Sequence, residues 1–179
     1  MNKILLSAAT LLFAVAAQSQ VATTSNGIVS FAGSSPVTDV EAESKKLVGA
    51  LNLADHKFAF KIDMTSFDFP NDEMEAHFNE KYLETDKPGN RYTTFIGKIN
   101  DNIDLKKDGT YKVSVSGKLK CHNVEKERNL LATLTVVGGK VSVTSEFFVP
   151  LKDHNIEVPS LVFAKVGENI KVKLEMVMK

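Results

Sequence analysis

The chain has 179 residues, 43% of them hydrophobic and 25% charged, with 22 basic and 22 acidic side chains. That balance excludes a strongly basic nucleic-acid binder and an acidic disordered tail. The length suits one domain with a sizeable core, and the single cysteine, Cys121, excludes both an intramolecular disulfide and a zinc site built on paired cysteines.

Residues 1–19 have the pattern of a secretory signal peptide. Lys3 supplies the positive start, Ile4 to Ala17 is an uncharged run, and Ala17-Gln18-Ser19 places small residues where a signal peptidase reads. The run is too short for a stable membrane span. No cysteine follows it, so no lipoprotein-type anchor can be attached there. The expectation is a signal peptide over 1–19 and one domain over 20–179, exported to the periplasm or secreted, with no transmembrane anchor in the mature chain. Cys121 would then be an odd thiol in an oxidising compartment, buried rather than reactive.

The mature chain reads as strands almost throughout. Weaker candidates cover Ile28 to Gly33 and Leu47 to Leu53. In the next segment Phe58, Phe60, Ile62 and Met64 alternate with Ala59, Lys61, Asp63 and Thr65. The alternation then breaks. Pro70-Asn71-Asp72-Glu73 opens a stretch in which Met74, Phe78 and Tyr82 fall four residues apart. Asn71 suits the cap and the acidic pair suits the positive helix end, which predicts one helix over 71–83. A polar loop, Glu84 to Arg91, follows, then a strand from Tyr92 to Ile99. The clearest strand comes next, with Tyr111, Val113, Val115, Leu119 and Cys121 on one face and Lys112, Ser114 and Lys120 on the other. Leu130 to Val137 and Val141 to Val149 flank Gly138-Gly139, a strong hairpin signal. Ile156 to Phe163 is a weaker candidate. The last strand alternates Ile170, Val172, Leu174, Met176 and Met178 with Lys171, Lys173 and Glu175. About eight antiparallel strands with one wet face fit a sandwich or an up-and-down barrel.

An ordered series of segments resembles the YceI-like family. It comprises Met64 to Glu84, with asparagine, methionine, histidine and aromatic residues running onto a short helix; Thr94 to Ile99; Gly117-Lys118-Leu119-Lys120-Cys121-His122; and the aspartate-containing Phe147 to Ile156. Asn123 stands where the family usually has glycine, and asparagine tolerates a left-handed backbone. The resemblance implies an all-β, antiparallel, lipocalin-like barrel of about eight strands with one short α-helix. It also implies an exported protein that holds a polyisoprenoid, isoprenoid-quinone-like or similar long-chain lipid for sequestration or transport.

On the residues alone, the apolar faces fit a packed core as well as a cavity, because alternation reports burial and not empty space. With the resemblance, the candidate ligand-binding set is Phe58, Phe60, Ile62, Met64, Phe67, Met74, Phe78, Tyr82, Phe95, Tyr111, Val113, Val115, Leu119, Phe147, Val172, Leu174 and Met176. His77 and His122 are candidate polar contacts at the mouth. His77 has a second reading: Glu73 and Glu80 share its helix at spacings of four and three, so the three could form a metal half-site or an acid–base pair. His56 and His154 fall in predicted turns and read as exposed. No serine has a glycine-flanked elbow, and an apolar face makes the Cys121 thiol inert. The expectation is a binding protein with no catalytic residue, cofactor or metal. An enzyme using His77 and His122, and a filled structural barrel, are the alternatives. The sequence leaves the oligomeric state open, a dimer included.

Overall fold

A computed structural model describes residues 20–33, 40–157 and 169–179. Its strands are β1 (Val21–Gly33), β2 (Val40–Asn52), β3 (Lys57–Asp63), β4 (Tyr92–Ile99), β5 (Gly109–Cys121), β6 (Val124–Val137), β7 (Lys140–Pro150) and β8 (Asn169–Met178). Each pairs antiparallel with the next, and β8 pairs with β1 to close an eight-stranded barrel. The all-β barrel implied by the resemblance, one of the two architectures that the alternation allowed, is therefore the observed fold.

β1 and β2 run well beyond the segments expected for them, and the reason lies in their register. The β1–β2 ladder shifts between Thr24 and Gly27 and again between Gly27 and Val29. The inward set of β2 changes accordingly from Ala42 and Ser44 to Leu47 and Leu51. Bulges of this kind break the period of two that sequence reading depends on. β6 also starts earlier than expected, at Val124. Its first half is charged, but it pairs with β5 along the whole length from Cys121↔Val124 to Gly109↔Val136. Of the candidate strand Ile156 to Phe163, Ile156 and Glu157 lie in no strand and the remainder lies outside the described residues.

The predicted helix is present in two parts. An α-helix, α1 (Asp72–His77), is capped by the Asn71 side chain, which accepts a hydrogen bond from Met74 N at 2.9 Å. A π-helical turn follows over Phe78–Tyr82, and Leu83 N donates to Phe78 O at 2.9 Å. The wider turn brings residues five apart onto one face. Phe78 and the buried Leu83 can thus both meet the barrel, which a regular α-helix would not allow.

Two-residue turns join β5 to β6 and β6 to β7. Both central residues have positive φ in each: His122 at 48° and Asn123 at 56°, Gly138 at 55° and Gly139 at 77°. These are the values that match the twist of a hairpin. Asn123 therefore keeps the left-handed turn without a glycine.

Gly97 and Gly117 sit opposite each other on β4 and β5, where the two backbones nearly touch. A Cβ on Gly97 would stand 2.2 Å from Ser116 O, and one on Gly117 would stand 2.5 Å from Ile96 O. Gly97→Ala should therefore cost typically 1–3 kcal/mol or more of stability, as a side chain forced into filled space, and lower the urea midpoint sharply. Gly138→Asn, placed in open space at a φ that asparagine accepts, should leave it nearly unchanged.

A candidate lipid cavity

The barrel is filled at one end and hollow toward the other. At the filled end Val136, Val141 and Met178 are wholly buried, with Ala22, Leu105 and Val113 almost so. The far half encloses an apolar cavity of about 560 Å³, beneath α1 and its π-helical continuation. That volume falls within the range of about 300–1,000 Å³ typical of small-molecule pockets.

Inward alternation brings most of the expected residues to this wall. β3 contributes Phe58, Phe60 and Ile62, and the turn after it Met64 and Phe67. The helix contributes Met74, Phe78 and Tyr82. Phe95, Val115, Leu119, Phe147, Val172, Leu174 and Met176 complete the set that sequence and cavity share. The rings gather in two groups. Phe31, Phe67, Phe69 and Phe78 meet at centroid distances of 5.0–6.0 Å under the helix, and Phe58 packs at 5.3 Å on Phe60 and 5.1 Å on Phe95.

Three expected placements need correction. Tyr111 and Val113 do not line the cavity: they belong to the filled end of β5, although the alternation there is the same as at Val115 and Leu119. The Tyr111 hydroxyl lies within hydrogen-bond reach of the carbonyls of Asp104 (3.2 Å) and Lys107 (3.0 Å), on the loop across that end. His122 is not among the residues that line the cavity; its ring nitrogens lie near His154 O and Glu84 Oε2 instead. His154, read as an exposed turn residue, is wholly buried.

Sequence reading missed Phe31, Phe69, Cys121 and Leu151, which also line the wall. Phe31 follows Val29 with the period of two and Phe69 follows Phe67, so a local signal was present for both. Leu151 carries no such signal, because it lies in a short 3-10 turn (Leu151–His154) after β7.

Polar groups reach the cavity at few points. Asn71, Glu73 and His77 sit on or beside α1 at the mouth, with Lys61 on the β3 side and Thr93 and Ser145 in the wall. His77 is exposed there. Among the described residues no group of three His, Cys, Asp or Glu side chains is placed to hold a metal ion, and no helix is long and apolar enough to cross a membrane. The Cys121 thiol is buried in the wall, and burial pushes its pKa up, leaving it protonated and unreactive at neutral pH.

A compact network fixes the segment after β7 against the β5–β6 turn. His154 Nδ1 lies 3.1 Å from Val124 O and 3.3 Å from Cys121 O, so this nitrogen carries the hydrogen and donates. His122 Nδ1 donates in turn to His154 O at 2.9 Å, while its Nε2 stands 3.4 Å from Glu84 Oε2. Lys87 beside Glu84 holds that carboxyl below its usual range. Arg128 pairs with Asp153 at 2.9 Å. His154 Nε2 is buried without a partner, which fits a neutral ring. At the base of the mouth, Ser66 Oγ donates to Asp63 O at 2.6 Å, so the wholly buried Ser44 donates to Ser66 Oγ at 2.7 Å. Burial opposes ionisation of Asp63, but hydrogen bonds from Arg91 and Thr65 outweigh it and hold the pKa low.

Residues 14–178 match the profile of the YceI-like domain. No curated protein matches the chain in sequence. Solved structures share the fold at low identity. A polyisoprenoid-binding domain from Saccharophagus degradans superposes with a TM-score of 0.75 at 14% identity, over 89% of this chain and 98% of that one. BcnA of Burkholderia cenocepacia gives 0.72 at 16% identity, over 86% and 96%. The YceI protein of Campylobacter jejuni gives 0.62 at 17% identity, over 79% and 85%.

His154 makes the stability of the mouth depend on pH. Burial lowers its pKa in the folded chain, with the Arg128 charge adding to the effect. The unfolded chain therefore binds the proton first, and stability falls as pH drops below the unfolded histidine value of about 6.5. Urea midpoints should decline between pH 7 and pH 5, before the carboxylates titrate. The decline should be shallower in His154→Gln. An equal slope in that variant would place the pH dependence elsewhere.

Proposed function

Because the chain belongs to the YceI-like family, we propose that it is an exported binding protein that holds a long-chain apolar lipid, polyisoprenoid or isoprenoid-quinone-like, inside the barrel for sequestration or transport. The observation that carries this reading is the cavity itself: about 560 Å³ bounded by apolar side chains, with its polar groups confined to a few points. The polyisoprenoid-binding domain that shares the fold supports the class of ligand. The mechanism is burial, with no bond made or broken.

Magnitudes favour a ligand of substantial length. A methylene-sized group takes about the room of one water molecule, about 30 Å³, so the cavity holds about nineteen such groups. Each contributes about 0.8 kcal/mol on leaving water, about 15 kcal/mol in all before the cost of ordering the chain. Association and ordering offset about 4–15 kcal/mol of such a gain, so a chain that fills the cavity binds well and a short one does not. The ligand-binding set comprises the wall residues of β3, β4, β5, β7 and β8, with Phe67, Met74, Phe78 and Tyr82 over the mouth. His77 is the polar contact positioned to meet a head group.

Two measurements test the reading. Val115 lines the cavity, so Val115→Trp should cut the lipid recovered by extraction and mass spectrometry while leaving the melting temperature almost unchanged. In a packed interior the same change would overpack, at about 1–3 kcal/mol, and lost stability with unchanged lipid content would refute the carrier. Export is checked by the intact mass of the protein from its own source: the mature form should start near Gln20, and retention of residues 1–19 would contradict it.

A further inference from the structure

The outer wall opposite the β6–β8 side carries a feature that the cavity does not use. The chain as a whole has no net charge, yet β4 and β5 contain no Asp or Glu, and in β3 the sole one is Asp63, which Arg91 occupies at 2.8 Å. The charged residues pointing outward from these strands are otherwise lysines. By contrast, the outward positions of β7 and β8 mix signs, as in the Glu146–Lys171 pair at 2.7 Å.

At the centre of the lysine wall is an apolar patch. Ala59 pairs directly with Ile96, which is 58% exposed, and Val48 on β2 is 39% exposed. Val48 stands opposite Lys61, and Ile96 opposite Lys118, which Glu125 at the β6 border of the wall holds at 2.9 Å. Lys57 stands directly opposite Lys98. Like charges at such positions destabilise a sheet. Asp55 takes up Lys57 at 2.9 Å, whereas among the described residues Lys61 and Lys98 have no carboxylate within 4.0 Å. Lys61 instead lies over the ring of Tyr92, 4.2 Å from its centroid, and Tyr92 is 40% exposed at the mouth end.

We propose that this wall docks on an anionic lipid surface. Lysine stems can lie along apolar surface while their ammonium groups reach outward to phosphates. Val48 and Ile96 supply the part that enters between head groups, and Tyr92 has the amphipathic character suited to that boundary. A second copy is a poor occupant, because a two-fold contact would set lysines against lysines. Lys61 belongs both to the wall and to the cavity rim, so a docked barrel holds its opening beside the bilayer. The inference goes beyond the identity of the cavity ligand and does not depend on it.

The test is co-sedimentation of the purified protein with vesicles of equal parts phosphatidylglycerol and phosphatidylcholine, against vesicles of phosphatidylcholine alone. Binding should be confined to the anionic vesicles and should weaken with added salt. Each lysine at such a surface is worth about fivefold in partitioning, so Lys61→Gln combined with Lys98→Gln should lower binding more than tenfold. Ile96→Ser should lower it as well. Lys173→Gln, on the opposite wall, should bind as the unaltered chain does, and melting temperatures should match throughout. Equal binding to neutral vesicles would overturn the proposal, as would an equal loss in Lys173→Gln. So would the absence of vesicle binding, the result expected of a wall shaped for an acidic protein.

Discussion

Closing an antiparallel sheet on itself sends every second side chain into one shared interior, and the size of those side chains decides whether that interior is solid. Here the two ends are filled differently. Valines and a methionine stand side by side on adjacent strands at the filled end, where Val136, Val141 and Met178 have no exposure at all. Toward the mouth the phenylalanine rings pack on one another along the wall, as in the Phe58, Phe60 and Phe95 group, and a cavity remains between the walls. Closure also demands that neighbouring strands turn tightly. The facing pair Gly97 and Gly117, which leave no room for a Cβ, let β4 and β5 approach closely.

The mouth is built on different physics from the wall. Its backbone leaves the regular ladder, and side-chain hydrogen bonds replace what the ladder would have provided. Asn71 caps the helix, Ser44 and Ser66 tie β2 to the turn after β3, and His154 and His122 bind the segment after β7 to the β5–β6 turn. Apart from the exposed Asn71 cap these are half-buried contacts, in which an unpaired group is costly. The polar side chains near the opening thus act largely as structure, and Cys121, with its pKa raised by burial, is part of the wall.

Much of this was legible in the chain. The alternation of β3, β5 and β8 fixed their inward faces, and Asn71 marked the start of the helix. What escaped notice did so for physical reasons. Bulges shift the phase of β1 and β2, so neither strand reads as one alternation over its full length. Alternation cannot tell the filled end from the hollow one: Val113 and Val115 look alike in sequence, yet one packs in the floor and the other lines the cavity. His154 is buried within the polar run Lys152-Asp153-His154-Asn155, and its surroundings come from residues some thirty positions away. The left-handed Asn155 that ends this turn was the nearest local sign.

The pairing of β8 with β1, from Ile28↔Glu175 to Ala32↔Lys171, joins the two extremes of the domain. Until the last strand is available, β1 and β7 each keep a raw edge and the hydrophobic interior has no lid along one side. Contacts this distant along the chain form late and slowly. A polypeptide threaded through a narrow pore amino end first would therefore lack a closed barrel until β8 emerged. It could snap shut only when its carboxyl-terminal residues arrive on the far side, and the seam that completes the barrel then removes the edges along which incomplete sheets aggregate.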